Sequence, residues 1–324
     1  MLSEFDLIAR YFQRPPSPST QGRVPLGIGD DCALMAATPG TQTAVSMDML
    51  VEGRHFFASA DPYQLGHKCL AVNLSDLAAM GAAPRTFTLA LAMPEAKAEW
   101  LEPFSRGLFA LADRYGCELI GGDTTKGPLT ICISVFGELE PGTALRRDAA
   151  KVGDDIWISG TLGDARLALA LYRKEVASDA GLLELCAPRM HAPEPRIELG
   201  MALAGIAHAA VDISDGLKGD LGHILQRSGV GALLDIDALP AGPALSRCPR
   251  DLRRRYCLAG GDDYELCFTA GPEQRERIAA LAQQAGTAVT RVGTVELEPG
   301  LRLRDSYGAP LSFDVISFDH FLSP

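Results

Sequence analysis

Any chemistry in this chain falls first to its aspartates. The stretch Gly27-Ile28-Gly29-Asp30-Asp31-Cys32-Ala33-Leu34 sets two adjacent carboxylates between a glycine turn and an apolar run. Adjacent acids repel unless something positive sits between them. The same setting, an acid beside strongly apolar sequence, returns at Asp48, Asp76, Asp123, Asp212 and Asp215. A solvated turn is the plain alternative for any one of these sites, because Gly and Asp form turns for purely local reasons. Repetition is what favours a bound cation. With only 6 histidines and no C-x-x-C pair, the pattern implies hard oxygen ligation, hence magnesium or calcium over zinc or copper. The D-x-D-x-D-G spacing of an EF-hand is absent, so the ligands come from turns far apart in sequence. Magnesium keeps waters and shares its sphere with phosphate oxygens, which suits several carboxylates to a nucleotide site. An acid pair also serves glycoside hydrolysis, but that chemistry leaves the remaining acids without a role.

Other chemistries lack their signatures. There is no G-x-S-x-G nucleophile elbow, no H-E-x-x-H and no G-x-G-x-x-G dinucleotide turn. A net charge of −11 argues against binding nucleic acid, since neutralising phosphates takes clustered Lys and Arg. The one dense basic run, Arg250 with Arg253-Arg254-Arg255, reads as a solvated helix face. Phosphates would reach so acidic a protein with divalent metal. The eight cysteines (Cys32, Cys69, Cys117, Cys132, Cys186, Cys248, Cys257 and Cys267) are scattered, several within apolar strands. They read as reduced core residues of a cytoplasmic protein. Glu4 and Asp6 interrupt what would be the apolar segment of a signal peptide, and no apolar run is long enough to span a bilayer.

The acids need elements to hold them. At 324 residues, 47% hydrophobic and 22% charged, the chain suits a globular enzyme of two domains. Ser3 with Asp6 predicts a capped amphipathic helix through Phe12, ended by Pro15-Pro16-Ser17-Pro18. A strand over Thr43 to Met47 would deliver Asp48 at its end. Tyr63 to Met80 reads as a helix with Leu65, Cys69, Val72, Asp76 and Met80 on one stripe. A carboxylate on that face needs a partner: a structural ion pair with Lys68, a cap, or a metal. Strands at Thr86 to Ala92, Cys117 to Ile120 and Thr130 to Gly137 flank a helix from Trp100 to Tyr115. Around Glu140 to Gly153 the chain turns polar, and the boundary is placed there, giving domains 1–140 and 150–324. Arg146, Arg147 and Lys151 in that stretch are either a solvated linker or phosphate-facing.

In the second half, strand Asp155 to Ile158 leads into Gly160-Thr161-Leu162-Gly163-Asp164 and a helix, a turn that can cradle phosphate. Pro195 to His208 reads as a helix, and Ala209 to Asp215 as a strand ending in two acids. A helix through Arg227 follows, with Leu217, Leu221, Ile224 and Leu225 inward. Ala232 to Ile236 is a strand. Gly260-Gly261-Asp262-Asp263-Tyr264-Glu265 is a third glycine-to-acid turn, running into strand Leu266 to Thr269. A helix at Glu273 to Gln284, strands around Val289 and Leu301, and the tail Phe318-Asp319-His320-Phe321 complete the chain. The class is α/β or α+β, with no solenoid repeat.

Seven of these motifs, in this order, resemble the thiamine-monophosphate kinase family, within the superfamily of aminoimidazole ribonucleotide synthetase and selenophosphate synthetase. They are Gly27 to Asp31, Asp48-Met49-Leu50-Val51-Glu52-Gly53 with His55-Phe56, and Ala71 to Gly81. Gly121-Gly122-Asp123-Thr124-Thr125, Gly160 to Asp164, Asp212-Ile213-Ser214-Asp215-Gly216-Leu217 and Gly260 to Leu266 complete the set. The resemblance implies an N-terminal mixed sheet that pairs in a homodimer, an α+β C-terminal domain, and active sites in the cleft between domains. It implies phosphorylation of thiamine phosphate by ATP, with several Mg²⁺ ions. By position, Asp30, Ser46, Asp48, Asp76, Asp123, Asp212 and Asp215 are similar to the magnesium ligands. Gly122, Asp123, Arg147 and Ser214 match nucleotide contacts, and His55, Asp262 and Phe318 match substrate-side positions. The family usually has Glu at Asp262, one methylene longer, and often Trp or Tyr at Phe318. An ATP-dependent ligase or cyclase of the same superfamily, or a non-catalytic nucleotide-binding module, are the other readings.

Overall fold

Ser3 caps the first helix as the sequence predicts. Its Oγ accepts from the Asp6 backbone N–H at 3.2 Å and donates to the Asp6 carboxylate at 2.6 Å, opening α1 (Glu4–Tyr11). The computed structural model describes residues 3–15, 22–177, 180–315 and 317–318. Part of the predicted Pro15 to Pro18 stop, and the tail beyond Phe318, lie outside them. By backbone proximity the chain divides into two units, 1–77 with 82–141, and 78–81 with 142–324.

The first unit contains β1 (Gln42–Val51), α2 (Pro62–Met80), β2 (Ala83–Met93), α3 (Ala98–Tyr115), β3 (Glu118–Lys126) and β4 (Thr130–Leu139). Its sheet has the order β1-β4-β2-β3, with β2 and β3 parallel and the other pairs antiparallel. One face carries the core: Phe87, Leu89 and Leu91 of β2 and Ile131, Ile133 and Val135 of β4 lie out of water. So do Leu70 and Leu74 of α2 and Phe104 and Leu108 of α3. Each such side chain contributes about 1.5–3 kcal/mol on burial. The opposite face stays open. On edge strand β1 the alternation leaves Val45, Met47 and Met49 at 62%, 61% and 53% exposure.

The second unit contains β5 (Asp155–Ser159), α4 (Asp164–Tyr172), α5 (Ala180–His191), α6 (Ile197–Leu203), β6 (Ala209–Asp212), α7 (Leu217–Ser228) and β7 (Gly231–Asp235). There follow α8 (Arg250–Ala259), β8 (Leu266–Ala270), α9 (Arg275–Gln284), β9 (Val289–Glu296), β10 (Gly300–Arg304) and β11 (Pro310–Leu311). Its sheet runs β11-β10-β7-β9-β5-β8-β6, with only β10 and β7 parallel. The central strands β5 and β8 are buried at every position, which is why Ile156 to Ile158 and Leu266 to Phe268 are apolar without alternation. Leu217, Leu221, Ile224 and Leu225 of α7 are buried as expected. The class is mixed α/β in both units.

The basic run on α8 is less solvated than its composition suggests. Arg254 reaches Asp237 through Nε at 2.8 Å and Nη2 at 2.7 Å, and Arg250 joins the same carboxylate through Nε at 3.1 Å. Arg255 lies over the Phe313 ring, 5.9 Å from its centroid. The run is thus partly an ion cluster tying α8 to the turn after β7. The two guanidinium groups, Arg254 first, hold the Asp237 carboxyl far below the usual carboxylate range. A depressed folded-state value adds stability above the unfolded value of about 4 that is lost as pH falls. The destabilisation caused by Asp237→Asn is therefore expected to be largest near pH 7 and to shrink steadily below pH 4. Urea unfolding of both proteins across that range checks it; a penalty independent of pH would contradict the assignment.

Candidate active site

In the first unit the strand β1 runs on past Asp48 to Val51, because its pairing with β4 continues through Leu50 with Ile131 and Val51 with Thr130. Asp48 is therefore inside the strand and not at its end. Ser46 and Asp48 share one face of β1, and the Ser46 hydroxyl donates a hydrogen bond to Asp76 Oδ2 of α2. Asn73, one turn before Asp76, accepts from the Asp48 backbone N–H through Oδ1 at 3.0 Å and donates to the Cys69 carbonyl at 2.9 Å. Asn73 is fully buried. It locks strand to helix and so fixes the spacing of Asp48 and Asp76. Nothing in the sequence reading singled it out, although a polar residue on the apolar stripe of α2 was the available signal.

Gly121-Gly122-Asp123 lies within β3 rather than after it. The register with β2 slips by one residue at Phe87/Thr88, where Ile120 is the extra residue, a bulge next to the motif. Gly122 is obligatory: φ is +153°, and a Cβ would sit 1.8 Å from the Leu89 carbonyl oxygen. The register continues across the sheet. Met49 faces Cys132, Cys132 faces Ala90, and Ala90 faces Asp123. Asp48 instead aligns through Ile133 and Leu89 with Gly122. Directly opposed residues point to the same side, so Asp123 lies on the open face and Asp48, half-buried, on the side of Leu89 and Ile133. Three strand spacings, about 14 Å, separate β1 from β3. Asp30 sits on an exposed turn, where its Oδ1 accepts from the Asp31 N–H at 2.9 Å. His55 follows β1, and its Nδ1 accepts from the Val51 N–H at 3.0 Å. That contact puts the proton of a neutral ring on Nε2.

In the second unit two loops cross. Asp212 ends β6, buried, paired with Leu266 of β8. Beyond it the Asp262 N–H donates to the Ser214 carbonyl at 2.7 Å, and the Tyr264 N–H to the Ile213 carbonyl at 2.8 Å. The Phe318 N–H donates to the Asp215 carbonyl at 3.1 Å. The structure thus gathers Asp212, Ser214, Asp215, Asp262 and Phe318. Asp262 and Tyr264 hold φ of +60° and +51°, at about 1–3 kcal/mol each for side-chain-bearing residues. Such strain persists only where the surroundings over-determine it.

The alternate residues supply that constraint. Asp263, 1% exposed, accepts from the Gly163 N–H at 2.8 Å. Burial pushes its carboxyl well above the usual range. Glu265, with no exposure, accepts from Ser159 Oγ (2.6 Å), Arg196 Nε and Nη2 (both 2.6 Å) and Arg189 Nη2 (2.8 Å). The turn at 160–164 is consequently no phosphate cradle. The Gly163 amide serves Asp263, the Leu162 amide serves the Pro240 carbonyl and the Gly160 amide the Ala288 carbonyl. Gly160 is glycine because a Cβ would stand 2.1 Å from Glu265 Oε1. The sequence reading missed Glu265, Arg189 and Arg196, because Glu265 lies 69 and 76 residues from its two arginines and no local spacing links them.

Of the basic residues at the predicted boundary, Arg146 is bound to Asp148 at 2.8 and 2.5 Å, and Lys151 Nζ lies 3.0 Å from His208 Nε2. Arg147 is exposed, with its carbonyl receiving Ser228 Oγ at 2.9 Å. Asp220 accepts from the Asp215 and Gly216 amides at 3.2 and 3.0 Å. Burial, and then the Asp215 carboxylate, push its carboxyl up to about 7.

Comparison with known proteins agrees with this architecture. Residues 29–139 match the family model "AIR synthase related protein, N-terminal domain", and residues 151–306 match "AIR synthase related protein, C-terminal domain". The chain is 46% identical to thiamine-monophosphate kinase of Salmonella typhimurium, covering 99% of each chain. It superposes on the crystal structure of thiamine-monophosphate kinase from Stenotrophomonas maltophilia with a TM-score of 0.86 at 46% identity, covering 96% of this chain and 98% of that one. AaThiL complexed with AMPPCP and TMP gives a TM-score of 0.77 at 30% identity, with 88% and 89% covered. With motifs, both domains and the full length of these relatives in agreement, the chain belongs to the thiamine-monophosphate kinase family of AIR synthase related proteins.

Proposed function

We propose that this enzyme transfers the γ-phosphoryl group of ATP directly and in line to thiamine phosphate, giving thiamine diphosphate and ADP, with Mg²⁺ assistance. Its near full-length identity to thiamine-monophosphate kinases and its likeness to AaThiL complexed with AMPPCP and TMP support the two substrates. The observation that carries the chemistry is the contact of Ser46 with Asp76, with Asp48 two residues along the same strand face.

Among the described residues no three His, Cys, Asp or Glu side chains gather closely enough to cage a metal by themselves. The donor set fits magnesium of another kind, bound through one or two carboxylates, a hydroxyl and substrate phosphates. Ser46, Asp48 and Asp76 would hold one ion. Asp30, Asp123, Asp212 and Asp215 are the proposed ligands of others. When bound, Mg²⁺ offsets the repulsion between the acceptor phosphate and the triphosphate. Gly122, Asp123, Arg147 and Ser214 are assigned to the nucleotide, Arg147 offering an exposed guanidinium to phosphate. His55, Asp262 and Phe318 are assigned to thiamine phosphate, with His55 Nε2–H as a donor. No residue is needed as base, because a phosphate monoester with a second pKa of about 6 is already largely dianionic at neutral pH.

Direct transfer predicts no covalent phospho-enzyme. The protein incubated with γ-labelled ATP and Mg²⁺ should carry no stable label, and on adding thiamine phosphate the label should appear in thiamine diphosphate. Protein-bound label that survives denaturation would refute the direct step, and absence of labelled thiamine diphosphate would refute the substrate. The open face bearing Val45, Met47 and Met49 supports pairing of two copies as a homodimer, since exposed apolar patches of this kind mark interfaces. Eight unpaired cysteines support work in the reducing cytoplasm.

A further inference from the structure

The first unit carries an arginine-lined cleft apart from the residues assigned to the kinase reaction. An open cleft of about 570 Å³ lies between α1 and α3, with Arg10, Arg14 and Arg106 among its walls. Its volume is in the range of small-molecule sites. On α3 the lining residues Glu102, Arg106, Phe109 and Asp113 recur at helical spacing, so one face of the helix forms a wall. Three arginines in one cleft are unexpected in a chain of net charge −11.

Only Arg14 is neutralised. It grips Asp113 through two bonds of 2.9 and 3.0 Å and lies 4.5 Å over the Phe109 ring. Arg10 and Arg106 make no ion pair among the described residues; each is parked on an aromatic face, Arg10 at 5.3 Å from Tyr11 and Arg106 at 5.5 Å from Tyr63. Stacking of this kind is the weaker alternative at an exposed site, since a guanidinium gains more from charge-assisted, bidentate bonds to phosphate. A second observation points the same way. Tyr11 lines the cleft, is 7% exposed, and its hydroxyl is buried with no hydrogen-bond partner. An orphaned buried donor of this sort needs an explanation, and the Arg10 guanidinium lies over the same ring.

We propose that this cleft binds a phosphorylated small molecule bearing hydroxyl groups, the class of sugar phosphates. Arg10 and Arg106 take the phosphate, the Tyr11 hydroxyl donates to it, and Glu102, which has no ion-pair partner among the described residues, accepts from the hydroxyls. The proposal is independent of the kinase reading.

Calorimetric titration of the full-length protein with ribose 5-phosphate, in EDTA to silence metal-dependent binding, tests it. Saturable binding is expected, weakened at least tenfold in the double variant Arg10→Gln, Arg106→Gln and unchanged in Asp48→Asn. Tyr11→Phe is expected to weaken binding without lowering the melting temperature of the unliganded protein, an outcome that a merely structural hydroxyl would not give. Ribose without phosphate should not bind. Absence of saturable binding, equal binding of ribose, or wild-type affinity in the double variant would each overturn the assignment.

Discussion

Asp48→Asn is expected to lower kcat for thiamine diphosphate formation by about 10³-fold, corresponding to about 4 kcal/mol of lost transition-state stabilisation. The substitution keeps the side-chain shape and removes one negative charge. Asp48 is held in place by its backbone N–H on Asn73 Oδ1, a contact the carboxyl does not make, so the fold should survive. Melting temperature within a few degrees of the wild type, with turnover nearly gone at saturating Mg²⁺, is the expected pair of results. Near-normal turnover would show that Asp48 is no essential ligand and would leave the Ser46–Asp76 contact as a structural one.

The largest stability effect should come from Glu265. Replacing it with Ala strips the shared partner from Arg189 and Arg196 and from Ser159, and breaking a buried ion pair on one side costs about 3–5 kcal/mol. The same change frees the loop that keeps Asp262 and Tyr264 at positive φ, so activity should fall together with stability. Urea unfolding followed by circular dichroism, beside the kinase assay, measures both. A loss under about 1 kcal/mol, or full stability with lost activity, would mean that the cluster does not hold the loop.

What could be read in advance depended on how local the determinants were. The cap at Ser3 and the buried strands β5 and β8 follow from spacing within a few residues, and their limits fell close to expectation; the stripe on α2 did not hold, because the helix is buried on nearly every side from Lys68 to Ala79 while Met80 is exposed. α5 escaped notice because Pro188, a helix breaker by propensity, sits inside it. The turn at 160–164 had the composition of an anion site, yet its amides were spoken for by Asp263 and by carbonyls distant in sequence. Glu265 was visible only as the end of an acidic run; its two arginines come from α5 and from the N-cap of α6. The acids proposed to hold metal were legible as types, while the side of the sheet from which Asp123 projects follows a bulge at Ile120 that no residue type announces.

That bulge shapes which neighbours an acid can have. A β-sheet one strand thick is a partition, and Asp48 and Asp123 are hung on its two sides. Within one copy, a ligand touching both carboxylates would have to pass around the rim of the partition. If the two acids hold ions as proposed, those ions are separate ones, or sit at opposite ends of a ligand long enough to turn that corner.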